Sequence, residues 1–126
     1  MLTTGHAFSG FSVRDVEASK EFYEGVLGLH AEVNAMGILD LALPGGSHVI
    51  LYPKDDHVAA AFTVLNFEVD DIDVAVGELA ENGVVLENYG GYADERGILR
   101  GRSVGRGPDI AWFLDPSGNI VSVLAN

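Results

Sequence analysis

The sequence has no cysteine among its 126 residues, and its seven lysines and arginines face nineteen aspartates and glutamates. Without cysteine the chain can form neither a disulfide framework nor a thiolate metal site, and it has no cysteine nucleophile. The formal net charge of −12 argues against nucleic acid as a partner, because binding to phosphates needs a concentrated basic surface. A disulfide-stapled or nucleic-acid-binding protein is therefore not expected.

Long apolar runs are missing as well. No stretch reaches about 18 apolar residues, and the first residues show no basic segment followed by an apolar one. We therefore predict a soluble, non-secreted, cytoplasmic protein without a membrane partner. The hydrophobic fraction of 48% is sufficient for the core of a single domain over residues 1–126.

What the sequence does contain is one pattern of elements written twice. A β-prone run over 8–13 is followed by Asp15, a good helix N-cap, and by apolar residues at helical spacing up to Gly28. Strands are predicted at about 30–35, 38–43 and 48–53. In the second half a strand over 62–69 precedes a helix that begins after Asp71 and ends at Gly83, and the next strand begins at Val84.

The repetition extends to individual residues. The motif Phe11-x-Val13-x-Asp15-Val16 returns 56 positions later as Phe67-x-Val69-x-Asp71-Ile72. This internal duplication predicts two βαβββ modules, over 1–57 and 58–126, and an α+β fold. Since one such module cannot bury its sheet face alone, we expect the two to form a curved mixed sheet with helices on its convex side and a ligand cleft on its concave side.

Three segments make the sequence similar to a known family. They are FSVRDVEASKEFYEGVLGL at 11–29, NFEVDDIDVAVGELAENGV at 66–84 and AWFLDPSGNIVSVL at 111–124. The chain resembles the vicinal oxygen chelate superfamily of glyoxalases, bleomycin-resistance proteins and extradiol dioxygenases. The resemblance implies the glyoxalase/bleomycin resistance fold, and it also implies a homodimer.

Enzymes of this superfamily hold a divalent metal on four strand positions. The resemblance places these positions at Phe8, Ile50, Val64 and Ser122, where a divalent ion would need imidazole or carboxylate groups. We therefore predict neither a metal nor another cofactor. Ser122 is interpreted either as a small polar residue lining the cleft or as a hydroxyl bonded to a neighbouring strand. His6 and His48 share the parity of these positions, but two imidazoles without a nearby cleft acid make a weak metal site.

Strand alternation from the four positions places flat hydrophobic surface on the concave side. Trp112, the only tryptophan, is the main candidate for stacking on an aromatic ligand. Ordinary core packing remains the alternative for Phe8, Ile50 and Phe62. The predicted ligand-binding residues are His6, Phe8, His48, Ile50, Tyr52, Phe62, Val64, Asn66, Tyr92, Arg102, Trp112 and Ser122.

A glycine-rich segment over 89–109 contains four of the seven basic residues, namely Arg96, Arg100, Arg102 and Arg106. Its lack of periodicity predicts a long mobile loop, and such loops are usually functional. We expect it to fold over the mouth of the cleft, where Tyr92 and Arg102 would contact the ligand. The alternative is a solvated excursion whose arginines pair with local acids such as Asp94.

Three functions are compatible with these features. The first is a metal-free binding protein that sequesters a large aromatic antibiotic bearing a quinone or polycycle, and it requires no catalytic residue. The second is a metal-dependent lyase, isomerase or extradiol dioxygenase, which the superfamily makes common and the four substitutions disfavour. The third is a non-enzymatic regulatory or structural dimer. We favour the first.

Overall fold

Two aspartates begin the two main helices with nearly identical backbone geometry. In the computed structural model, which describes residues 1–126, Asp15 has φ −135° and ψ 109°, and Asp71 has φ −133° and ψ 108°. The Asp15 carboxylate accepts a hydrogen bond from the backbone N–H of Ala18 at 3.1 Å. That of Asp71 accepts bonds from Asp73 at 3.0 Å and Val74 at 3.1 Å. The duplicated sequence thus produces a duplicated N-cap, which satisfies backbone donors that a helix start leaves unpaired.

The first unit, Met1–Ala59, contains one four-stranded sheet. The strands have the order β1-β4-β3-β2, with β1 and β4 parallel and the other pairs antiparallel. A helix lies between β1 and β2, and its second half is π-helical. The elements are β1 (Ser9–Val13), α1 (Val16–Lys20) with its π-helical continuation (Glu21–Val26), β2 (His30–Val33), β3 (Leu39–Ala42) and β4 (His48–Pro53).

One face of this sheet forms the core of the first unit. Its apolar side chains are buried, with Leu39, Leu41 and Leu51 fully inaccessible to solvent. Tyr23 from the π-helical turn is also fully buried. Because side chains alternate along a strand, the intervening residues, such as Ile50, lie on the opposite, open face.

The second unit, Ala60–Asn126, contains a five-stranded sheet. Its strand order is β5-β9-β8-β6, and β7 also pairs with β8; β5 and β9 are parallel. Ile72, Val76 and Leu79 of the helix are buried, and the helix packs against β8 and β9. The elements are β5 (Thr63–Glu68), α2 (Ile72–Glu81), β6 (Leu86–Glu87), β7 (Leu99–Arg100), β8 (Asp109–Leu114) and β9 (Ile120–Ala125).

The α+β architecture confirms the predicted fold class, and some boundaries differ from the prediction. The division between the units follows Ala59, whereas the sequence predicted module one to end at residue 57. Phe8 lies just before β1 and Phe62 just before β5, and their side chains are 59% and 68% exposed. The alternative of core packing is therefore wrong for both phenylalanines. The joining of both sheets around one cleft stays a prediction.

The glycine-rich segment holds more structure than the predicted mobile loop. It contains β7 and two 3₁₀ turns, Tyr89–Gly91 and Arg102–Val104. Ile98 is fully buried. Arg100 donates hydrogen bonds to Asp94 at 2.9 Å and to Asp73 of α2 at 2.7 Å, so the alternative of arginines paired with nearby acids is confirmed for this residue. The bond to Asp73 fixes the segment to α2.

Neither helix has the length and apolar character needed to span a bilayer.

Candidate functional site

Four side chains form a row across the open face of the second sheet. Asn66 on β5 pairs with Ser122 on β9, Ser122 pairs with Trp112 on β8, and Trp112 pairs with Glu87 on β6. Residues directly opposite each other on neighbouring strands lie on the same face. The strand register therefore brings together three of the predicted ligand-binding residues, and it adds Glu87, which was not predicted.

Ser122 is buried within this row and is hydrogen-bonded to its neighbour Asn66. Its side chain is fully buried, and its Oγ donates a hydrogen bond to Oδ1 of Asn66 at 2.5 Å. Asn66 itself is exposed. Of the two interpretations of Ser122, the structure shows the hydroxyl bonded to the neighbouring strand. The bond connects β9 to β5 through their side chains.

Trp112 is held by two neighbours. Its indole Nε1 donates a hydrogen bond to Oγ1 of Thr63 at 3.1 Å. Tyr89 meets the indole edge to face, with ring centroids 5.5 Å apart and ring planes at 78°. Burial raises the pKa of the Tyr89 hydroxyl, and the negative charge of Glu87 raises it further. The result is a half-buried indole with a fixed orientation.

Sequence reasoning missed Thr63 because it assumed an uninterrupted strand. Alternation placed Phe62, Val64 and Asn66 on the side of Trp112. The register shifts between Thr63 and Leu65, so that Val64 is an extra residue that forms a β-bulge. Thr63 consequently pairs with Ile120 and contacts Trp112, whereas Phe62 lies outside the strand and has no partner in the register. The residue types in this segment do not predict a β-bulge.

The first sheet has the corresponding pair of positions, filled differently. Ile50 on β4 pairs with Gly10 on β1, and Gly10 precedes Asn66 by 56 positions. A Cβ on Gly10 would lie 2.8 Å from Cγ1 of Ile50. Ile50 therefore covers the bare backbone of Gly10 on the open face. An apolar contact stands where the second unit has a hydrogen bond.

The expectation that His48 lacks a nearby acid was wrong. Nδ1 of His48 lies 2.6 Å from Oδ1 of Asp40, and both side chains are about half exposed. Asp40 on β3 pairs with Ile50, so the acid, the imidazole and Ile50 share the open face. Tyr52, two residues beyond Ile50 on β4, shares that face and is 37% exposed.

A serine–histidine contact and the position of His6 also emerge only from the structure. Oγ of Ser12 lies 2.6 Å from Nδ1 of His57, and His57 is buried. His6 is exposed and has its ring 5.8 Å from that of Phe8. The contact between Ser12 and His57 is not predictable from local patterns, because 45 residues separate the two.

The superfamily's metal positions do not suit a divalent ion in this chain. Phe8, Ile50 and Val64 offer hydrocarbon, and Ser122 offers a hydroxyl that is already bonded to Asn66. Elsewhere, no group of three or more histidine, aspartate and glutamate side chains is arranged to hold a metal ion. Such an ion exchanges its hydration shell for imidazole or carboxylate ligands, and these positions supply neither.

Tyr92 and Arg102, predicted to cover the ligand, are both exposed. The backbone N–H of Arg102 donates to Oδ1 of Asp109 at 3.1 Å. Tyr92 lines a groove in the glycine-rich segment together with Arg106. Tyr89, three residues earlier, is the tyrosine that contacts Trp112.

The chain belongs to the Glyoxalase/Bleomycin resistance protein/Dioxygenase superfamily, whose family profile matches residues 4–123. No curated protein is significantly similar in sequence. A superfamily member from Sphaerobacter thermophilus DSM 20745 has a TM-score of 0.69 and 23% identity, over 99% of this chain and 100% of that one.

Two similar structures are of proteins connected with antibiotics. TnmS3, an antibiotic binding protein from Streptomyces sp. CB03234, has a TM-score of 0.64 and 22% identity over 99% of this chain and 98% of that one. The genomically encoded fosfomycin resistance protein FosX from Listeria monocytogenes has a TM-score of 0.71 and 12% identity, over 99% and 95%. At these identities the likeness establishes the shared fold.

Proposed function

We propose that this protein binds a flat aromatic small molecule on the open face of its second sheet and confers resistance by sequestering it. The observation that carries the proposal is the fixed, half-buried indole of Trp112, held by Thr63 and by Tyr89. The ligand class is a quinone- or polycycle-bearing compound of the kind found among DNA-damaging antibiotics.

A ring that is already oriented is a good partner for stacking. Aromatic pairs contribute about 0.5–1.5 kcal/mol beyond the burial of their area. The hydrogen bond from Nε1 and the edge contact with Tyr89 restrict the rotation of the indole before any ligand arrives. Less conformational entropy is therefore lost on binding. Glu87 and Asn66, in the same row, are available for hydrogen bonds to polar groups of the ligand.

The composition of the row favours binding over catalysis. It contains an amide, a hydroxyl, an indole and one carboxylate, with no nucleophile next to a base. Sequestration requires affinity without a reacting group. Membership of the superfamily and the shared fold with an antibiotic binding protein support the same proposal. The metal-dependent lyase, isomerase or dioxygenase is the competing function, and the residues at the four metal positions oppose it.

The experiment is a titration followed through the fluorescence of the only tryptophan. Neutral planar quinones and polycyclic aromatics should change the Trp112 signal in a saturable way at one equivalent. Calorimetry should show that Trp112→Ala weakens binding by about 2 kcal/mol, because buried aromatic anchors dominate small interfaces. Val85→Ala, at an 81% exposed position, is the control and should bind as the wild type does. Equal affinity of the Trp112→Ala variant would refute the proposal.

A second measurement separates sequestration from metal-dependent catalysis. Protein purified without chelator should contain less than about a tenth of an equivalent of divalent metal, because apolar positions cannot replace an ion's hydration. Added nickel, manganese or iron should produce no turnover of bound ligand. Stoichiometric metal together with turnover would favour the enzyme.

A further inference from the structure

A groove of about 840 Å³ lies within the second unit along the glycine-rich segment. Its apolar lining includes Ile98, Leu99 and Val104, and its polar lining includes Tyr92 and Arg106. Ile98 is fully buried, whereas Tyr92 and Val104 are 78% and 64% exposed. The groove thus combines a buried apolar side chain with accessible aromatic and aliphatic surface.

The acidic side chain of the groove is already occupied. Oδ2 of Asp94 accepts a hydrogen bond from Nε of Arg100 at 2.9 Å, and Oδ1 accepts the backbone N–H groups of Arg96 and Ile98, each at 2.9 Å. The other two nitrogens of the Arg100 guanidinium donate hydrogen bonds to the carboxylate of Asp73, at 3.0 and 2.7 Å. The guanidinium of Arg96 also pairs with Asp73, so two arginines neutralise the two carboxylates and leave little hydrogen-bonding capacity for a ligand.

Arg106 is the cation that remains. Its side chain is exposed and forms no ion pair. Its backbone is fixed, because its N–H donates to the carbonyl of Gly101 at 2.9 Å. Gly101 has no room for a side chain, since a Cβ there would lie 2.5 Å from the carbonyl oxygen of Pro108. A tight turn therefore fixes the backbone of Arg106, whose unpaired side chain lines the groove beside apolar residues.

We propose that this groove is a binding site for an organic anion, with its apolar body against Tyr92, Leu99 and Val104 and its acidic group on Arg106. Guanidinium groups bind carboxylate, sulfonate and phosphate groups with paired hydrogen bonds. The chain as a whole carries a net charge of −12, so a bound anion needs this local positive charge. The proposal does not depend on the function proposed for the Trp112 face.

The test uses naphthalene-2-sulfonate as the anion and naphthalene-2-methanol as its neutral counterpart. In two-dimensional amide NMR spectra the sulfonate should shift the signals of residues 98–106. Arg106→Ala should weaken its binding about fivefold, at the upper end for an exposed ion pair. Arg106→Lys should retain part of the affinity, since lysine keeps the charge and loses the planar fork. Arg102→Ala removes a neighbouring charge that does not line the groove, and it should bind as the wild type does.

Three results would overturn the proposal: equal binding of the alcohol, unchanged affinity of Arg106→Ala, or shifts confined to the Trp112 indole N–H. Self-association that Arg106→Ala abolishes, without sulfonate binding, would overturn it in favour of a second copy of the chain in the groove. Trp112→Ala should leave sulfonate binding unchanged. Failure of this site and failure of the Trp112 site are thereby distinguished.

Discussion

Ser122 and Asn66 are joined by a hydrogen bond of 2.5 Å at the positions where the first unit places Ile50 over Gly10. Both pairs connect the first strand of a unit to the last through parallel pairing. One pair is polar and the other apolar, so equivalent positions of the duplicated backbone carry different side chains and different contacts. Each pair contains one position, Ser122 or Ile50, that the family resemblance assigns to the metal site of the superfamily's enzymes.

The buried Ser122 should be sensitive to size and charge. Ser122→Ala should lower the free energy of unfolding by about 1 kcal/mol, because a hydrogen bond is lost and the exposed Asn66 can turn to water. Ser122→Glu should lower it by about 3 kcal/mol or more, since a larger, charged group enters a buried position. Urea denaturation measures both, with Ser47→Ala, at an exposed position, as the control. Wild-type stability of the glutamate variant would contradict the assignment.

Gly10 should not accept a methyl group while Ile50 is present. Gly10→Ala should destabilise the first unit by about 1–2 kcal/mol, because its Cβ would lie 2.8 Å from Cγ1 of Ile50. Adding Ile50→Ala to the same chain should recover part of the loss, since the obstructing atoms are removed. A cycle of the two single variants and the double variant gives the coupling, and simple additivity would argue against the contact.

Thr63 should affect ligand binding through the orientation of Trp112. Thr63→Val keeps the shape of the side chain and removes the acceptor of the indole N–H. We expect a loss of about 1 kcal/mol in stability, together with weaker binding of the planar ligand. Thr63→Ser should restore both, because serine supplies the same oxygen. Calorimetric titration of the wild type and the two variants measures their affinities for the ligand. Equal affinity of the Thr63→Val variant and the wild type would show that Thr63 has no role in the site.

The ion pairs that Arg100 forms with Asp73 of α2 and with Asp94 of its own segment should weaken in acid. Hydrogen bonds from Arg100 hold the pKa of Asp73 below its ordinary value of 3.8. Burial of Asp94 opposes ionisation, but bonds from the Ile98 backbone and from Arg100 outweigh it and lower its pKa as well. A lowered pKa in the folded state means stabilisation that is fully present above pH 3.8 and lost as the pH falls through the folded-state values.

Asp73→Asn and Asp94→Asn should therefore make stability less dependent on pH below this value than it is in the wild type. Denaturation curves recorded at several pH values measure the dependence. Asp55→Asn, on an exposed turn, is the matched control. Identical pH profiles for the wild type and Asp73→Asn would show that the ion pairs contribute nothing.

The oligomeric state stays a prediction that follows from family membership. Light scattering should give twice the chain mass of 13.4 kDa if the protein is a homodimer. The mass of a single chain at micromolar concentration would contradict it. Fractionation of the producing cell tests the predicted cytoplasmic location.

The fold was predictable because local signals and the duplication agreed. Asp15 and Asp71 are recognisable N-caps, Gly28 and Gly83 follow the helices with φ of 74° and 79°, and buried and accessible residues alternate along β4. The site was predictable only in part. Trp112 and Ser122 share a face because the turn at 115–119 sets the pairing of β8 with β9. Asn66 joins them through the parallel pairing of β5 with β9.

The positions of other site residues depend on contacts between distant segments, which have no signature in the local sequence. Tyr89 reaches Trp112 through the course of an irregular segment. Asp40 meets His48 diagonally across a pair of strands whose register was unknown. Residue propensity and periodicity describe a single helix or strand, so they do not predict contacts between separate helices, strands and loops.

The β-bulge at Val64 has a consequence for how insertions and deletions act in this chain. Val64 is the one residue of β5 that strand pairing does not use, so deleting it would leave Thr63 opposite Ile120 and Asn66 opposite Ser122. Removal of any residue after the bulge would instead turn the following side chains to the other face of the sheet. The loss of one codon is thus tolerable at Val64 and damaging at the residues that follow it, and residue counting across β5 is out of step by one.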